Sequence, residues 1–288
     1  MLSIHRMFAP SNRLRVPLLT ALAMLAFAGN SLLCRIALRD TTIDAASFTS
    51  IRLVSGALVL ALLLRRRGVR PTSGGSWPMA GMLFAYAALF SFAYRELTAA
   101  TGALLLFGAV QLTMSAWGLW QGERIAGLRL AGLAIAVGGL VFLLLPGLAA
   151  PAPLDAALMI GAGISWGVYS LLGRQAGEPV AATGGNFVRS VAFAAVLILG
   201  ASAHQAVDPA GMAYAVASGA VTSGLGYVLW YAVLPALAAT SAATVQLCVP
   251  AIAALGGAVL LAEPLTPRLL LASVAILGGI ALTIRKKA

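Results

Sequence analysis

Charged side chains are scarce in this sequence. Of its 288 residues, 9% are charged and 61% are hydrophobic, and the mean hydropathy is +0.97. A soluble domain usually carries about a quarter charged residues, because its surface must be polar. Too few charges are present here to cover such a surface, so the composition predicts an integral membrane protein.

The side chains that most catalytic and metal sites require are also rare. Lysine occurs only at 286–287, which excludes the Gly-x-x-x-x-Gly-Lys-Ser/Thr phosphate loop of an ATP-driven pump. His5 and His204 lie outside the hydrophobic runs, which argues against a buried triad or a histidine metal cluster. Cys34 and Cys248 lie far apart within hydrophobic runs and indicate neither a disulfide framework nor a zinc site. The sequence therefore predicts no enzyme, no metal and no cofactor.

Carboxylates are absent from the middle of every hydrophobic run. All eight acidic residues stand at the ends of the runs or between them: Asp40, Asp44, Glu96, Glu123, Asp155, Glu178, Asp208 and Glu263. A relay for protons or sodium ions usually needs an acidic group inside the membrane. The pattern argues against such a relay.

The positive charges form short clusters beside the hydrophobic runs, as at 65–70 and 285–287, and the formal net charge is +11. Nucleic-acid binding is the alternative interpretation of so basic a chain. Clusters at the ends of hydrophobic runs are, however, typical of orientation signals and of contacts with anionic lipid headgroups. We therefore expect the lipid bilayer, and no nucleic acid, as a partner.

Ten hydrophobic runs approach the length of about 20 residues that a helix needs to cross a bilayer. They cover 16–36, 45–64, 76–93, 97–120, 126–145, 154–173, 181–200, 209–231, 237–261 and 267–284. With the N-terminus in the cytoplasm, 13 basic residues fall inside and four outside, as the positive-inside rule requires. Residues 1–15 and 285–288 are then cytoplasmic termini.

The two halves of the chain resemble each other. A shift of 139 residues aligns FAGNSLLCR (27–35) with WGVYSLLGR (166–174). A shift of 140 aligns Glu123 with Glu263 and matches a Gly-Gly pair in each half. Because charged residues are scarce, the Arg and Glu matches carry more weight than those of Leu or Gly.

Each half is predicted to hold five spans, the first over 16–145 and the second over 154–284, with a linker at 146–153. Because five is odd, the second half enters the membrane from the opposite side. The halves are then related by a pseudo-twofold axis in the membrane plane, as in many secondary transporters, where a central site opens alternately to either side. A duplication that only enlarges the bundle is the alternative.

An aromatic segment and the ends of the two halves carry a recognisable pattern. It consists of GYVLWYAVL (226–234), Pro250, and the half-ending segments 122–140 and 262–280. With the paired five-helix units, these segments resemble the drug/metabolite transporter superfamily in its EamA-type ten-helix branch. Chiefly through 218–265, the chain is also similar to YddG-like amino-acid exporters. The resemblance implies an all-α fold around a central cavity and export of small metabolites.

Polar and aromatic side chains near the middle of the runs are candidates for the solute site, because such groups usually face an internal cavity. Phe27 and Asn30 are three residues apart and share a helix face, and their repeat equivalents Trp166 and Tyr169 do the same. The other candidates for substrate binding are Tyr86, Gln111, Tyr227, Trp230 and Gln246. Packing between helices is the alternative, as is an interfacial aromatic belt for the pair in the eighth span.

Two arginines lie within the spans, Arg52 in the second and Arg189 in the seventh. A lone arginine in lipid costs at least about 2.5 kcal/mol, so each should find a partner or extend to the membrane surface. Because the second half is inverted, we expect one toward each face, supporting a gate; a purely structural pair is the alternative. Pro250, which opens the ninth span, is the third candidate for a gate or structural support.

Together these observations predict a secondary transporter of the bacterial inner membrane that works by alternating access. Aromatic and amide groups with little fixed charge suit neutral or zwitterionic solutes, so amino acids, including aromatic ones, are the expected substrates. Without a midplane carboxylate, we expect facilitated transport; export follows from the resemblance. Alternatives are a carrier of sugar phosphates, nucleotide sugars or drugs, and, in another class, a membrane-embedded enzyme or a structural membrane protein.

Overall fold

The chain is all-α. The structure is a computed structural model that describes residues 15–122, 127–147, 150–173, 177–201, 205–237 and 245–284. Within these ranges it has ten helical spans and no β-strand, which confirms the predicted fold class. The spans are α1 (Arg15–Asp40), α2 (Ala45–Arg66), α3 (Trp77–Ala93), α4 (Ala99–Trp120), α5 (Leu128–Leu144), α6 (Pro153–Gly173), α7 (Pro179–Gly200), α8 (Pro209–Ala236), α9 (Cys248–Leu261) and α10 (Pro267–Ile284).

Six of these helices are long and hydrophobic enough to cross a membrane, and α3, α5, α9 and α10 are shorter hydrophobic helices. The largest difference from the predicted bounds concerns the ninth span. It was expected to begin at 237, whereas α9 begins at Cys248 and residues 238–244 lie outside the described residues. Of the predicted cytoplasmic termini, 1–15 and 285–288, only Arg15 is described, as the first residue of α1, and the rest lie outside the described residues.

Short polar segments between the hydrophobic runs begin the next helix. Asp44 accepts hydrogen bonds from the backbone N–H groups of Ala46 and Ser47 at 2.9 Å and so caps α2. Glu178 caps α7 and Asp208 caps α8 in the same way. A carboxylate at this position satisfies N–H groups that have no partner inside the helix and faces the positive end of the helix dipole. Three of the acidic residues thus have a structural role outside the spans.

Helices from the two halves interleave. α2 packs on α7, α4 on α9 and α5 on α10; α1 contacts α8 and α9, while α6 contacts α3 and α4. Each helix of the first half has a counterpart five places later in the second half, such as α6 for α1 and α7 for α2. When every helix in these contacts is exchanged for its counterpart, each contact becomes either the same contact or another one named here. This is the packing of two repeats related by a pseudo-twofold axis. The exact limits of the halves, 16–145 and 154–284 with the linker 146–153, stay predictions.

The connections between helices lie on two opposite faces. The described parts of the loops after α1, α3, α5, α7 and α9 lie on one, which we call the Glu263 face. The described parts of the loops after α2, α4, α6 and α8 lie on the other, which we call the Gly74 face. The positive-inside rule predicts that the Gly74 face is cytoplasmic.

The matched Gly-Gly pairs lie where α5 crosses α10. A Cβ atom on Gly279 would lie 2.6 Å from the backbone nitrogen of Ala136, and one on Gly139 would lie 2.7 Å from a side chain of α10. Cβ atoms on Gly138 and Gly278, by contrast, would meet nothing within 4 Å. Only the second glycine of each pair therefore permits the close approach of the two helices.

We expect Gly279→Ala to lower the free energy of unfolding by about 1–3 kcal/mol, because the added methyl group overlaps the backbone of α5. The neighbouring change Gly278→Ala is the matched control. It should leave stability unchanged or raise it by up to about 1 kcal/mol, because alanine favours the helix. Unfolding of the purified variants in detergent measures the difference, and equal stability of the two would contradict the close approach.

Candidate functional site

A small cavity lies where helices from both halves meet. Measured as space for the centre of a water molecule, its volume is about 20 Å³, enough for roughly one water. Its lining comes from α1, α3, α4, α6, α8 and the start of the α9 region: Phe27, Asn30, Ser31, Tyr86, Phe90, Leu106, Phe107, Trp166, Thr222, Ser223, Tyr227 and Gln246. A metabolite needs more room than this, so the helices around the cavity must move apart before one can bind.

Aromatic rings form most of the cavity wall, with Trp166 at their centre. Its ring centroid lies 4.9 Å from that of Tyr86 and 5.2 Å from that of Tyr227. Phe27 meets Tyr227 edge-on at 5.9 Å. These spacings lie in the range of favourable aromatic pairs. The wall therefore offers ring faces both to an apolar side chain and to a cationic group.

Asn30 is held in one orientation by hydrogen bonds on both sides of its amide. Its Nδ2 donates to the Tyr86 hydroxyl at 3.2 Å, and its Oδ1 accepts from Ser218 Oγ at 2.7 Å and from Thr222 Oγ1 at 3.4 Å. The two α8 hydroxyls come from a π-helical stretch, Ser218–Leu225. π-Helical stretches inside α-helices occur frequently at functional sites.

The guanidinium of Arg52 lies directly behind this wall, and the residue is 1% exposed. Its Nε donates to Ser223 Oγ at 3.3 Å and its Nη2 to the Tyr86 hydroxyl at 3.1 Å. The charge lies 5.1 Å from the ring centre of Tyr86 and 5.0 Å from that of Phe90. We expected Arg52 near one face, supporting a gate, whereas the fold buries it beside the cavity.

Arg52 and Arg189 are not counterparts in the two halves. Counted from the helix caps Asp44 and Glu178, the residue that corresponds to Arg52 is Asn186. The structure buries Arg52 beside the cavity, and a part in gating stays a prediction for both arginines.

Arg189 helps to hold the Gly74 face together. Its Nη1 donates to the carbonyl of Gly74 at 2.7 Å and its Nη2 to that of Thr72 at 3.2 Å. Asn186 accepts a hydrogen bond from the backbone N–H of Ser76 at 2.9 Å. These bonds tie the α2–α3 loop to α7, and thus one half of the chain to the other.

The Glu263 face is held by a buried ion pair. Arg35 Nε lies 3.0 Å from Glu263 Oε1, and the two residues are 8% and 7% exposed. Arg35 Nη1 also donates to the carbonyls of Tyr94 and Arg95, at 3.0 and 2.7 Å. Glu263 Oε2 accepts from the first N–H of α4, that of Ala99, at 2.7 Å. The pair joins α1 and α4 of the first half to the α9–α10 loop of the second.

Asp44 adds a second connection on the Glu263 face. Its Oδ2 accepts a hydrogen bond from the N–H of Ala206 at 2.9 Å, which links the α1–α2 loop to the α7–α8 loop. Burial raises the pKa of the Asp44 carboxyl, but hydrogen bonds from Ser47, Ala206 and Ala46 outweigh this effect. The pKa therefore lies below its ordinary value, and the carboxylate stays charged at neutral pH.

Six of the nine predicted substrate-binding residues line the cavity: Phe27, Asn30, Tyr86, Trp166, Tyr227 and Gln246. Sequence reasoning missed the other six lining residues: Ser31, Phe90, Leu106, Phe107, Thr222 and Ser223. Hydroxyl, aliphatic and phenylalanine side chains recur through the spans, so nothing in the sequence distinguished these six. Their part in substrate binding, like that of the predicted residues, is inferred from position alone.

Two of the remaining candidates lie one layer further out. Tyr169 stacks on Trp166 at 5.2 Å, but its hydroxyl accepts a hydrogen bond from Asn186 Nδ2 at 3.2 Å and is not in the lining. Trp230 contacts Phe27 with ring centres 6.0 Å apart. Both support residues of the wall.

Gln111 and Pro250 lie away from the cavity wall. Gln111 is half-buried on α4 and is not among the lining residues. Pro250 is buried in the first turn of α9, where its missing N–H costs the helix nothing. Pro250 thus begins α9, and its role in gating stays a prediction.

Nothing in the described part of the chain suits a metal ion, since no three His, Cys, Asp or Glu side chains come together there. The groups around the cavity are rings, hydroxyls, amides and one guanidinium. They can bind a solute but offer no carboxylate to take up a proton.

Comparison with known proteins identifies relatives of this chain. Residues 155–285 match the EamA-like transporter family. An uncharacterized protein of Pseudomonas aeruginosa is 59% identical over 270 residues, which cover 93% of this chain and 94% of that protein. The threonine/homoserine exporter RhtA of Escherichia coli K12 is 35% identical over 140 residues, 46% of each chain.

A solved crystal structure shares the fold across 94% of this chain and 96% of its own, with a TM-score of 0.66 and 20% identity. The likeness therefore extends over both halves, whereas the family match covers the second. Together with the ten helices, it agrees with the interleaved packing. The chain belongs to the EamA-type branch of the drug/metabolite transporter superfamily, and is a multi-pass membrane transporter of small metabolites.

Proposed function

We propose that this protein exports amino acids, including aromatic ones, across the bacterial inner membrane by alternating access. The observation that carries the proposal is the cavity between the two halves, which is walled by aromatic rings and an oriented amide and has one cation directly behind the wall. Such a wall suits a zwitterion with an apolar side chain. A relative whose name describes export of threonine and homoserine supports the same substrate class.

Alternating access follows from the contacts on the two faces. Opening toward the Glu263 face requires separation of Arg35 from Glu263, and opening toward the Gly74 face requires release of the α2–α3 loop from α7. In this conformation both sets of contacts are made and the cavity is nearly filled. We therefore assign it to a closed intermediate between the two open states, with the Gly74 face in the cytoplasm.

The test is transport by the purified protein in liposomes that are loaded with an unlabelled amino acid and supplied with the labelled one outside. Exchange of label above that of empty liposomes supports the proposal. Threonine, homoserine and phenylalanine form the first panel, with a sugar phosphate and a cationic drug as rival substrates. Exchange of only the rivals would overturn it.

The same liposomes test the coupling. Because no described carboxylate lines the cavity, we propose facilitated transport, in which a proton gradient is not required. Label should equilibrate at the same rate with and without an imposed gradient. Strict dependence on the gradient would contradict facilitated transport while leaving the substrate class intact.

Replacement of Trp166 by alanine should reduce transport at least about tenfold, because a stacking ring contributes roughly 0.5–1.5 kcal/mol beyond its buried area and Trp166 contacts three rings. Trp120→Ala is the matched control, since Trp120 is 74% exposed on the outer surface of the bundle. Initial exchange rates at equal amounts of folded protein give the comparison. Equal rates for the two variants would remove Trp166 from the site.

A further inference from the structure

The guanidinium of Arg52 has an unused hydrogen-bond donor. Its Nη1 is the one buried side-chain nitrogen or oxygen of the described residues that has no hydrogen-bond partner. Buried polar groups are nearly always paired, because an unpaired donor loses its water without compensation. The side chain lies against three residues of the cavity wall, Tyr86, Phe90 and Ser223.

The positive charge of Arg52 is also uncompensated. The ion pairs in the described part of the chain use other residues, Arg35 with Glu263 and Arg39 with Asp40. The hydrogen bonds of Arg52 end on neutral hydroxyls, and its two ring contacts are weak compared with the hydration that a guanidinium gives up. A buried cation that has no counter-charge attracts an anion.

Tyr86 supplies a second donor beside the first. Its hydroxyl oxygen accepts from both Arg52 Nη2 and Asn30 Nδ2, so its own proton is left to be donated. A guanidinium N–H and a phenol O–H that share one region can bind the two oxygens of one carboxylate. Charge-assisted hydrogen bonds of this kind are about twice as strong as neutral ones.

We infer that Arg52 and Tyr86 bind the carboxylate of the substrate. This inference rests on the proposed function and deepens it: the solute carries a free carboxylate, which enters the cavity toward α2 and α3. The ammonium group of an amino acid then lies toward the rings of Trp166 and Tyr227, whose faces attract cations. The carboxylate then supplies the counter-charge that Arg52 lacks within the described part of the chain.

The experiment compares binding of phenylalanine with binding of phenylalaninamide, which lacks the carboxylate charge. We expect the unchanged protein in detergent to bind the acid at least about tenfold more tightly, as measured by the ligand-induced shift in melting temperature over a concentration series. Arg52→Gln should lose this preference by weakening binding of the acid alone. Arg65→Gln, an exposed arginine on the same helix, is the matched control and should keep the preference.

Two further variants separate binding from folding. Arg52→Met replaces the charged side chain by an apolar one. The melting temperature of the ligand-free variant should therefore be no lower than that of the unchanged protein. Tyr86→Phe keeps the ring and should weaken binding of the acid more than that of the amide. A preference for the acid that survives in Arg52→Gln would overturn the inference. So would a large loss of stability in Arg52→Met, because it would mark the guanidinium as a structural group.

A third ligand, 3-phenylpropionate, distinguishes this inference from the proposed function. If no amino acid is exchanged in liposomes but 3-phenylpropionate binds through Arg52, the carboxylate site stands and amino-acid export fails. If amino acids are exchanged equally well by Arg52→Gln, export stands and the carboxylate site fails.

Discussion

The Glu263→Gln variant should unfold with a free energy about 3–5 kcal/mol below that of the unchanged protein. Removal of one partner leaves the Arg35 guanidinium buried without its counter-charge, and broken buried pairs cost this much. The N–H of Ala99 at the start of α4 also loses a charged acceptor. Denaturant or thermal unfolding in detergent measures the change.

The exposed ion pair nearby is the matched control. Arg39 and Asp40 lie 2.6 Å apart, but their side chains are 33% and 42% exposed. Asp40→Asn should therefore change stability by no more than about 1 kcal/mol. If Glu263→Gln also lowers the free energy of unfolding by no more than this, the ion pair of Arg35 with Glu263 does not hold the Glu263 face together. Combined with Arg35→Gln, Glu263→Gln should cost less than the sum of the single changes, because both remove one interaction.

The Glu263→Gln variant should also shift the protein toward the state open on the Glu263 face. Cys34, one residue before Arg35, is fully buried in the closed conformation. In a Cys248→Ser background, a thiol reagent should therefore modify Cys34 faster in Glu263→Gln than in the unchanged protein. An unchanged rate of modification would show that the ion pair contributes to stability alone.

The second large effect is expected at Gly219, in the π-helical stretch of α8. A Cβ atom there would lie 2.0 Å from the backbone oxygen of Arg52 and 2.1 Å from Ser55 Oγ. No side-chain rotation relieves a contact with backbone, so α2 and α8 must separate. We expect Gly219→Ala to cost about 3 kcal/mol of stability, at the upper end of the usual cost of overpacking.

Transport should fall with stability in Gly219→Ala, because the separation moves Arg52 away from its partner Ser223. Gly138→Ala, in the middle of α5 with nothing within 4 Å of the added atom, is the control and should keep both stability and transport. Unfolding and liposome exchange on the same preparations give the comparison. A Gly219→Ala protein as stable as Gly138→Ala would contradict the close contact of α2 with α8.

Much of the fold could be predicted because the relevant signals are local. Hydrophobic runs near 20 residues give the helices, and Asp44, Glu178 and Asp208 mark where three of them begin. The repeat offset and the odd number of spans give the inversion. Of the matched charges, Arg35 and Glu263 meet in one ion pair, while their repeat equivalents Arg174 and Glu123 lie outside the described residues.

The sequence by itself determined the lipid-exposed all-α class, the two inverted halves and most of the aromatic wall, because each depends on composition, periodicity or an internal match. Only the tertiary structure decided where Arg52 lies. Its place depends on the π-helical stretch of α8, on the close approach of Gly219, and on hydroxyls from α3 and α8. These residues are distant along the chain, and contacts between distant residues form only when the helices pack.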